Sequence, residues 1–109
     1  MVRLVYALSV TLALTACAFA GFAGETAGRA SGEELFKRHC AICHPKGGNI
    51  INPAKTLSKK SREASNIKKA EDIVKQMRNP GPGMTPFDKT TLPDGDAGKV
   101  ADYILKTFN

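Results

Sequence analysis

The sequence has few of the residues from which a small domain usually builds its core. Among its 109 residues there is no tryptophan, and aromatic residues make up only 6%. Because domains of this size bury a small share of their surface, such a composition is thin for a core made of side chains alone. The length allows one small domain at most.

The sequence also lacks a basic patch, a β-strand pattern and a long apolar run, and each absence excludes a class of function or fold. The formal net charge of +6 is moderate and scattered, without interleaved aromatic residues, so nucleic-acid binding is not expected. No stretch alternates in the manner of a β-strand and no internal repeat occurs, so the fold class is expected to be all-α. The apolar run Leu4–Leu14 is interrupted by two polar residues and is too short for a membrane-spanning helix.

The first residues are typical of an export signal. Arg3 supplies a minimal positive region before the apolar run, and residues 1–16 are expected to be a signal peptide rather than part of the fold. The sequence Leu-Thr-Ala-Cys, which ends at Cys17, resembles the lipobox of bacterial lipoproteins, where cleavage leaves the cysteine first and a lipid joins its sulfur. The alternative is ordinary cleavage after Ala20, in an Ala-x-Ala context, which discards Cys17. Both interpretations predict export.

The lipoprotein interpretation also predicts a location. Cys17 would carry the lipid, and residues 17–30, rich in Ala and Gly, would form a flexible leader to a domain at residues 31–109. In bacterial lipoproteins the residue after the cysteine helps to direct sorting, and Ala18 is not the aspartate linked with inner-membrane retention. The resemblance therefore implies an outer-membrane lipoprotein that faces the periplasm or the exterior, with a soluble periplasmic protein as the alternative.

The segment Cys40–His44 carries the strongest functional signal. Its sequence, Cys-Ala-Ile-Cys-His, is the signature for covalent attachment of a c-type haem. On one helical turn, positions i, i+3 and i+4 share a face. Cys40 and Cys43 can therefore bond to the two vinyl-derived carbons on one edge of the porphyrin, while His44 meets the iron as an axial ligand. A buried porphyrin would also supply the apolar surface that the side chains lack.

Three other uses of these residues agree less well with the sequence. A structural zinc site needs four ligands, usually in two separated pairs, and outside the motif only Cys17 and His39 are available. His39 is expected to be an exposed helix residue that cannot reach the far side of the iron. A thioredoxin-like dithiol belongs beside a β–α–β pattern, which the sequence lacks. A plain disulfide would leave His44 without a role.

Apolar periodicity predicts helices on both sides of the motif. Ser31 and Glu34 match a capping box, so a first helix is expected from about residue 32 into the motif. A loop follows over Pro45–Pro53, and Lys55–Arg62 is expected to form a short polar helix. Asp94 is the expected N-cap of the last helix. One further apolar stripe predicts a helix through Ile67, Ala70, Val74 and Met77. Another predicts the last helix, through Ala97, Val100, Ala101, Ile104, Leu105 and Phe108.

The motif leaves one iron position to fill, and two methionines are candidates. Met77 continues the apolar stripe of a helix and is expected to be a core residue. Met84 lies in the sequence Pro-Gly-Met-Thr-Pro-Phe, where the prolines restrict the backbone. A stiff loop of this kind can hold a thioether against a metal with little loss of entropy. Met84 is therefore the predicted second axial ligand, and the alternative is a turn methionine that covers the core.

Together these features resemble the class I c-type cytochromes, over about residues 31–109. Gly32 and Phe36 precede the first motif cysteine by eight and four positions, as in that family. The haem motif lies near the start of the domain and the methionine loop lies before the last helix, where Tyr103 is placed to cross the first helix near Phe36. The segment Gly47–Leu57 and the methionine loop are most similar to those of the cytochrome c6 group.

The resemblance implies both a fold and a function. The fold would be a small all-α domain of three to four main helices around one covalent haem c, with His44 and Met84 at the iron. The function would be that of a monomeric, monohaem electron carrier rather than an enzyme, passing single electrons between redox proteins in the bacterial cell envelope. The family often holds the N–H of the proximal histidine with a backbone carbonyl, and Pro53 is expected to supply it. The alternative function is a haem enzyme or ligand sensor, such as a peroxidase-like protein, in which Met84 is displaced.

Overall fold

The computed structural model describes residues 29–109, and the chain is helical there. The helices are α1 (Gly32–His39), α2 (Lys59–Ala64), α3 (Ala70–Arg78) and α4 (Asp94–Thr107), with a 3₁₀ turn at Pro45–Gly47. Within residues 29–109 no β-strand occurs, which confirms the predicted all-α fold class. None of the helices in this range is both long enough and apolar enough to cross a bilayer. The predicted signal peptide, Cys17 and most of the predicted leader lie outside the described residues.

α1 begins at the capping box that the sequence predicts. The Glu34 N–H donates to Ser31 Oγ at 3.2 Å, and the Ser31 N–H donates to the Glu34 carboxylate at 2.7 Å. These bonds satisfy two backbone donors at the open end of the helix. The prediction that the helix continues into the motif is wrong, because the Phe36 carbonyl accepts from both Cys40 and Ala41 and the regular ladder stops there. The motif itself is a series of turns.

α4 lies at the centre of the packing and contacts both α1 and α3. The central residues of its predicted apolar stripe are buried, namely Ala97, Val100, Ala101 and Ile104. The other core residues come from α1, the motif, α3 and the loop before α4, and they are Leu35, Phe36, Cys40, Ile73, Met77 and Leu92. The end of α1 and the loop that follows α3 therefore meet on one core.

The crossing of α1 and α4 is close and partly aromatic. The rings of Phe36 and Tyr103 have centroids 5.3 Å apart, which confirms the contact that the resemblance implied. Gly32 lies at the same crossing, where a Cβ atom added to it would overlap the backbone carbonyl of Lys99. The absence of a side chain at Gly32 is therefore what allows the two helices to approach this closely.

α2 is the predicted short polar helix, although it begins later than expected because Ser58 caps it. The Ser61 N–H donates to Ser58 Oγ at 3.3 Å. Arg62 of this helix is buried, with only 5% of its surface exposed. Its Nε atom donates to the Leu57 carbonyl at 2.8 Å and its Nη2 atom donates to the Phe108 carbonyl at 3.2 Å. Arg62 thus ties α2 to the end of α4 through backbone carbonyls.

α3 also begins later than its apolar stripe predicts, at Ala70 rather than Ile67. The Asp72 carboxylate accepts the backbone N–H of Lys68 at 3.0 Å and that of Lys69 at 3.1 Å. Backbone N–H groups at the start of a helix have no acceptor within the helix, and here the Asp72 carboxylate supplies one and acts as a cap. Asp72 is therefore the residue that sets the start of α3.

Replacing Asp72 with asparagine is expected to lower the free energy of unfolding near neutral pH, and to matter less in acid. The N–H of Lys68, followed by that of Lys69, holds the pKa of the Asp72 carboxyl below its ordinary value of 3.8. A carboxyl with a lowered pKa in the folded state stabilises the fold above its unfolded pKa. That contribution is lost as the pH falls through the folded pKa.

Denaturant unfolding of the wild type and Asp72→Asn at a series of pH values measures this effect. The difference in unfolding free energy between them should shrink as the pH falls below about 4. Glu71→Gln, an exposed neighbour on the same turn, is the matched control and should change little. A difference that stays constant from neutral to acid pH would contradict the assigned role of the Asp72 charge.

Candidate haem site

The motif forms a tight turn directly after α1. The backbone N–H of His44 donates to the Cys40 carbonyl at 2.9 Å, and that of Cys43 donates to the same carbonyl at 3.2 Å. The three side chains therefore belong to one turn, as their spacing predicts. Cys40 is buried, whereas Cys43 and His44 are half-buried. Both cysteines are free thiols, so each can form a covalent bond to another group.

The environment of Cys40 does not favour redox exchange between thiols. Burial raises the pKa of the Cys40 thiol from 9.0 to about 11. Cysteines that exchange disulfides instead have a lowered pKa, since the thiolate is the reactive form. Within residues 29–109 no group of three or more His, Cys, Asp or Glu side chains could hold a metal ion directly. The Cys40 thiol therefore lacks the lowered pKa that is typical of a dithiol catalyst.

The ring of His44 is fixed by a backbone carbonyl, but not by the one expected. Nδ1 lies 2.7 Å from the carbonyl oxygen of Gly48. The structure thus places Gly48 at this position, and not Pro53, whose side chain is exposed. The reason is the turn after the motif, in which Lys46 adopts a left-handed conformation with φ of 53°. This turn brings the chain back to the ring within four residues.

This hydrogen bond decides which ring nitrogen of His44 is free. A carbonyl oxygen can only accept, so in the neutral ring Nδ1 carries the hydrogen. Nε2 then keeps its lone pair, which is the form in which histidine binds a metal. A carbonyl on the other ring nitrogen also orients the imidazole and raises its basicity as a ligand. His44 is therefore prepared to act as an axial ligand.

The two methionines lie in different environments. Met77 is buried in the core with 4% of its surface exposed, which confirms its predicted role in packing. Met84 is half-buried and lies in the loop between α3 and α4. We call residues 79–86 the Met84 loop. The Phe87 N–H donates to the Met77 carbonyl at 2.9 Å, so the loop leaves the end of α3 and returns to it.

The Met84 loop lies close to the segment that follows the motif. The Ile50 N–H donates to the Cys43 carbonyl at 3.0 Å. The next residue, Ile51, reaches the Met84 loop, because a Cβ atom added to Gly83 would lie 2.9 Å from Ile51 Cγ2. Gly83 also has φ of +92°, which side chains rarely adopt, so a glycine is needed here on two grounds. The two halves of the candidate site therefore meet at Ile51 and Gly83.

The residues present fit a covalent haem. Such a group needs two thiols, two axial ligands and apolar surroundings. The exposed large apolar side chains in the described part of the chain are Ile42, Ile50 and Ile51, at 81%, 58% and 60%. Ile42 belongs to the motif. Ile50 and Ile51 belong to the segment after it, which contacts the Met84 loop at Gly83. Exposed large apolar side chains mark a binding surface, and here they occur in and directly after the segment that carries the two thiols and His44.

One residue at this site is not visible in the sequence pattern. Arg78 is the last residue of α3, and its guanidinium Nη1 donates to the carbonyls of Phe87 at 3.1 Å and Leu92 at 2.8 Å. Nη2 donates to the Asp94 carboxylate at 2.8 Å. A basic residue in the last turn of a helix is usual on electrostatic grounds, so the sequence alone suggests nothing more than that.

The chain is similar in sequence and in fold to known c-type cytochromes. A family profile described as cytochrome c oxidase, cbb3-type, subunit III, matches residues 27–104. The cytochrome c6 of Cyanidium caldarium is 38% identical over an alignment of 100 residues that covers 88% of this chain and 88% of that one. OmcF, outer membrane cytochrome F from Geobacter sulfurreducens, is 46% identical with a TM-score of 0.71, over 72% of this chain and 100% of that one. The cytochrome c6 of the diatom Phaeodactylum tricornutum is 32% identical with a TM-score of 0.63, over 69% and 87%.

Proposed function

Because this chain belongs to the monohaem class I c-type cytochromes, with cytochromes c6 among its relatives, we propose that the Cys40–His44 segment and Met84 hold its haem. The protein is an electron carrier rather than an enzyme, and its cofactor is one covalent haem c with histidine and methionine at the iron. The observation that carries the assignment is the hydrogen bond from His44 Nδ1 to Gly48, which leaves Nε2 free beside the two cysteines.

Each proposed ligand has a distinct role. When bound, haem c supplies one-electron redox chemistry at its iron. Cys40 and Cys43 would anchor it by thioether bonds, and His44 Nε2 and the Met84 sulfur would be the protein ligands of its iron. With both ligands supplied by the protein, no ligand would have to bind or leave when an electron is gained or lost. The methionine thioether favours the ferrous state and raises the midpoint potential.

Absorption spectra of the purified holo-protein, oxidised and reduced, test this function. We expect a low-spin ferric spectrum with the weak near-red band of methionine-ligated iron, and no change on adding hydrogen peroxide. A high-spin spectrum without that band would support the peroxidase-like or ligand-sensing alternative, because it would show an open iron position. We propose that the protein meets its redox-protein partners as a monomer.

We propose that the protein works at the outer membrane as a lipoprotein. Two observations support this: the lipobox-like sequence that ends at Cys17, and the name of a 46% identical relative, outer membrane cytochrome F. A diacylglycerol-modified cysteine supplies more than one acyl chain, which is what stable anchoring requires. Residues 17–30 would then be a leader that lets the domain turn toward redox partners in the cell envelope.

Mature protein isolated from membranes is expected to begin at Cys17 and to carry added lipid mass. Because Cys17 lies outside the domain, Cys17→Ser should release essentially all of the protein from the membrane fraction without changing its haem spectrum. Intact mass spectrometry and fractionation measure the two effects, and Thr15→Ser serves as a control that keeps the cysteine. An unmodified start at Gly21 would instead show a soluble periplasmic protein.

A further inference from the structure

The Met84 loop is attached to the rest of the fold mainly at its two ends. Its sequence contains three prolines, which have no N–H to donate. Within the loop the structure records one long backbone hydrogen bond, from the Met84 N–H to the Gly81 carbonyl at 3.5 Å. Apart from the contact of Gly83 with Ile51, the position of Met84 therefore depends on the closure between the end of α3 and the residues after the loop.

Phe87 is the point where the loop closes. Its N–H donates to the Met77 carbonyl at 2.9 Å, and its carbonyl accepts from Arg78 Nη1 at 3.1 Å. Both backbone polar groups of Phe87 are thus bonded to two consecutive residues at the end of α3. Phe87 is only three residues after Met84, so its position limits where the Met84 side chain can lie.

Arg78 holds more than Phe87. The same guanidinium also bonds the Leu92 carbonyl and the Asp94 carboxylate, so it spans the loop end, the following turn and the start of α4. The Arg78 side chain is 16% exposed, whereas that of Asp94 is 64% exposed. Exposed ion pairs contribute little, so the two carbonyl bonds are expected to account for most of the effect of Arg78.

We propose that Arg78 is a positioning residue that holds the Met84 loop closed and so protects Met84 from replacement by an outside ligand. This inference rests on Met84 being the axial ligand. A competing ligand can bind only the fraction of molecules in which Met84 has moved away, so its apparent dissociation constant is the intrinsic one divided by that fraction. Loosening the closure raises the fraction and tightens binding of the competitor by the same factor.

Titration of the ferric holo-protein with imidazole tests the proposal, with loss of the near-red band as the signal. Arg78→Lys keeps the charge beside Asp94 but loses the planar fork that reaches two carbonyls. We expect imidazole to bind this variant about tenfold more tightly, which corresponds to about 1.4 kcal/mol. Asp94→Asn, which removes only the charge of the exposed partner, should stay within about twofold of the wild type.

Arg62→Lys is the matched control for general destabilisation. Arg62 is buried and, like Arg78, donates to two backbone carbonyls, but these belong to Leu57 and Phe108, outside the Met84 loop. This variant should lower the free energy of unfolding while leaving imidazole affinity within about twofold. Unchanged affinity in Arg78→Lys, or an equal gain in Arg62→Lys, would overturn the proposal.

A measurement on the wild type keeps the test valid if Arg78→Lys does not fold. The amide of Phe87 should exchange its hydrogen at least about tenfold faster in saturating imidazole, while amides of α4 keep their protection. Retained protection at Phe87 would show that Met84 leaves without opening the closure, and would overturn the proposal. A near-red band that persists in Met84→Ala would instead mean that the ligand assignment fails, whatever Arg78 does.

Discussion

Met84→Ala is expected to abolish the near-red absorption of the ferric protein and to lower its midpoint potential. Met84 is half-buried and lies in a proline-rich loop. That loop contacts Ile51, which belongs to the segment after the haem motif. With Met84 as the proposed ligand, loss of its thioether would remove the group that favours ferrous iron. Since axial ligands set haem potentials over a range of about 0.8 V, the decrease should be on the order of 0.1 V. Optical spectra and a redox titration measure the two effects.

Met77→Ala is the matched control for that experiment. Met77 is buried in the core, so its truncation leaves a cavity and should lower the free energy of unfolding by about 2–5 kcal/mol. The near-red band and the potential should change little, because Met77 packs on the helical core rather than in the loop. The opposite pattern, a band lost in Met77→Ala and kept in Met84→Ala, would show that the ligand has been assigned to the wrong residue.

Gly32→Ala is expected to lower the free energy of unfolding by about 1–3 kcal/mol, as overpacking typically does. A Cβ atom at this position would lie 2.9 Å from the carbonyl carbon of Lys99 and 3.0 Å from Cβ of Tyr103. The first of these neighbours is backbone and cannot rotate away. α1 and α4 would therefore have to move apart, which loosens the contact between Phe36 and Tyr103.

Gly98→Ala provides the control with the opposite expected sign. Gly98 lies in the interior of α4, and an added Cβ would have no neighbour within 4 Å. Alanine in a helix interior is more favourable than glycine by about 0.5–1 kcal/mol, so this variant should be more stable than the wild type. Denaturant unfolding compares both variants with the wild type. Equal effects of the two substitutions would argue against a close approach of the helices at Gly32.

Much of the fold could be predicted because its determinants are local. The capping box at Ser31 needs only two residues three positions apart, and the stripe of α4 needs only a regular spacing. The start of α3 could not be predicted from its stripe, because Ile67 is apolar and yet lies before the helix. The start of the helix is set instead by the Asp72 carboxylate, which takes the backbone donors of Lys68 and Lys69.

The start of α4 shows the same limit. Asp94 has the side chain expected of an N-cap, but it is the first helical residue, and Pro93 precedes it as the cap. The Asp94 carboxylate is bonded instead to Arg78 and Lys89. Arg78 lies 16 positions before Asp94 and Lys89 precedes the helix. A rule for helix starts that considers only the residues of the first turn does not include either of them.

Part of the candidate site can likewise be predicted from local sequence, and part depends on the folded chain. The motif is contained in five consecutive residues, so its one-turn geometry follows from spacing alone. The partner of His44 depends on a left-handed turn at Lys46, which no sequence rule indicates, so the sequence predicts Pro53 where the structure has Gly48. The contacts of Arg78 join residues 9, 14 and 16 positions apart, and only the folded chain brings them together.

The burial of Cys40 has a consequence for the order of events during synthesis. Cys40 belongs to the same core as Val100 and Ile104 of α4, although some sixty residues separate them in the chain. The ribosome makes α4 after Cys40, so until α4 has been made the thiol lacks part of the core that covers it. The Cys40 thiol is therefore most accessible to covalent modification before α4 packs against the core. Once the fold is complete, the thiol is buried.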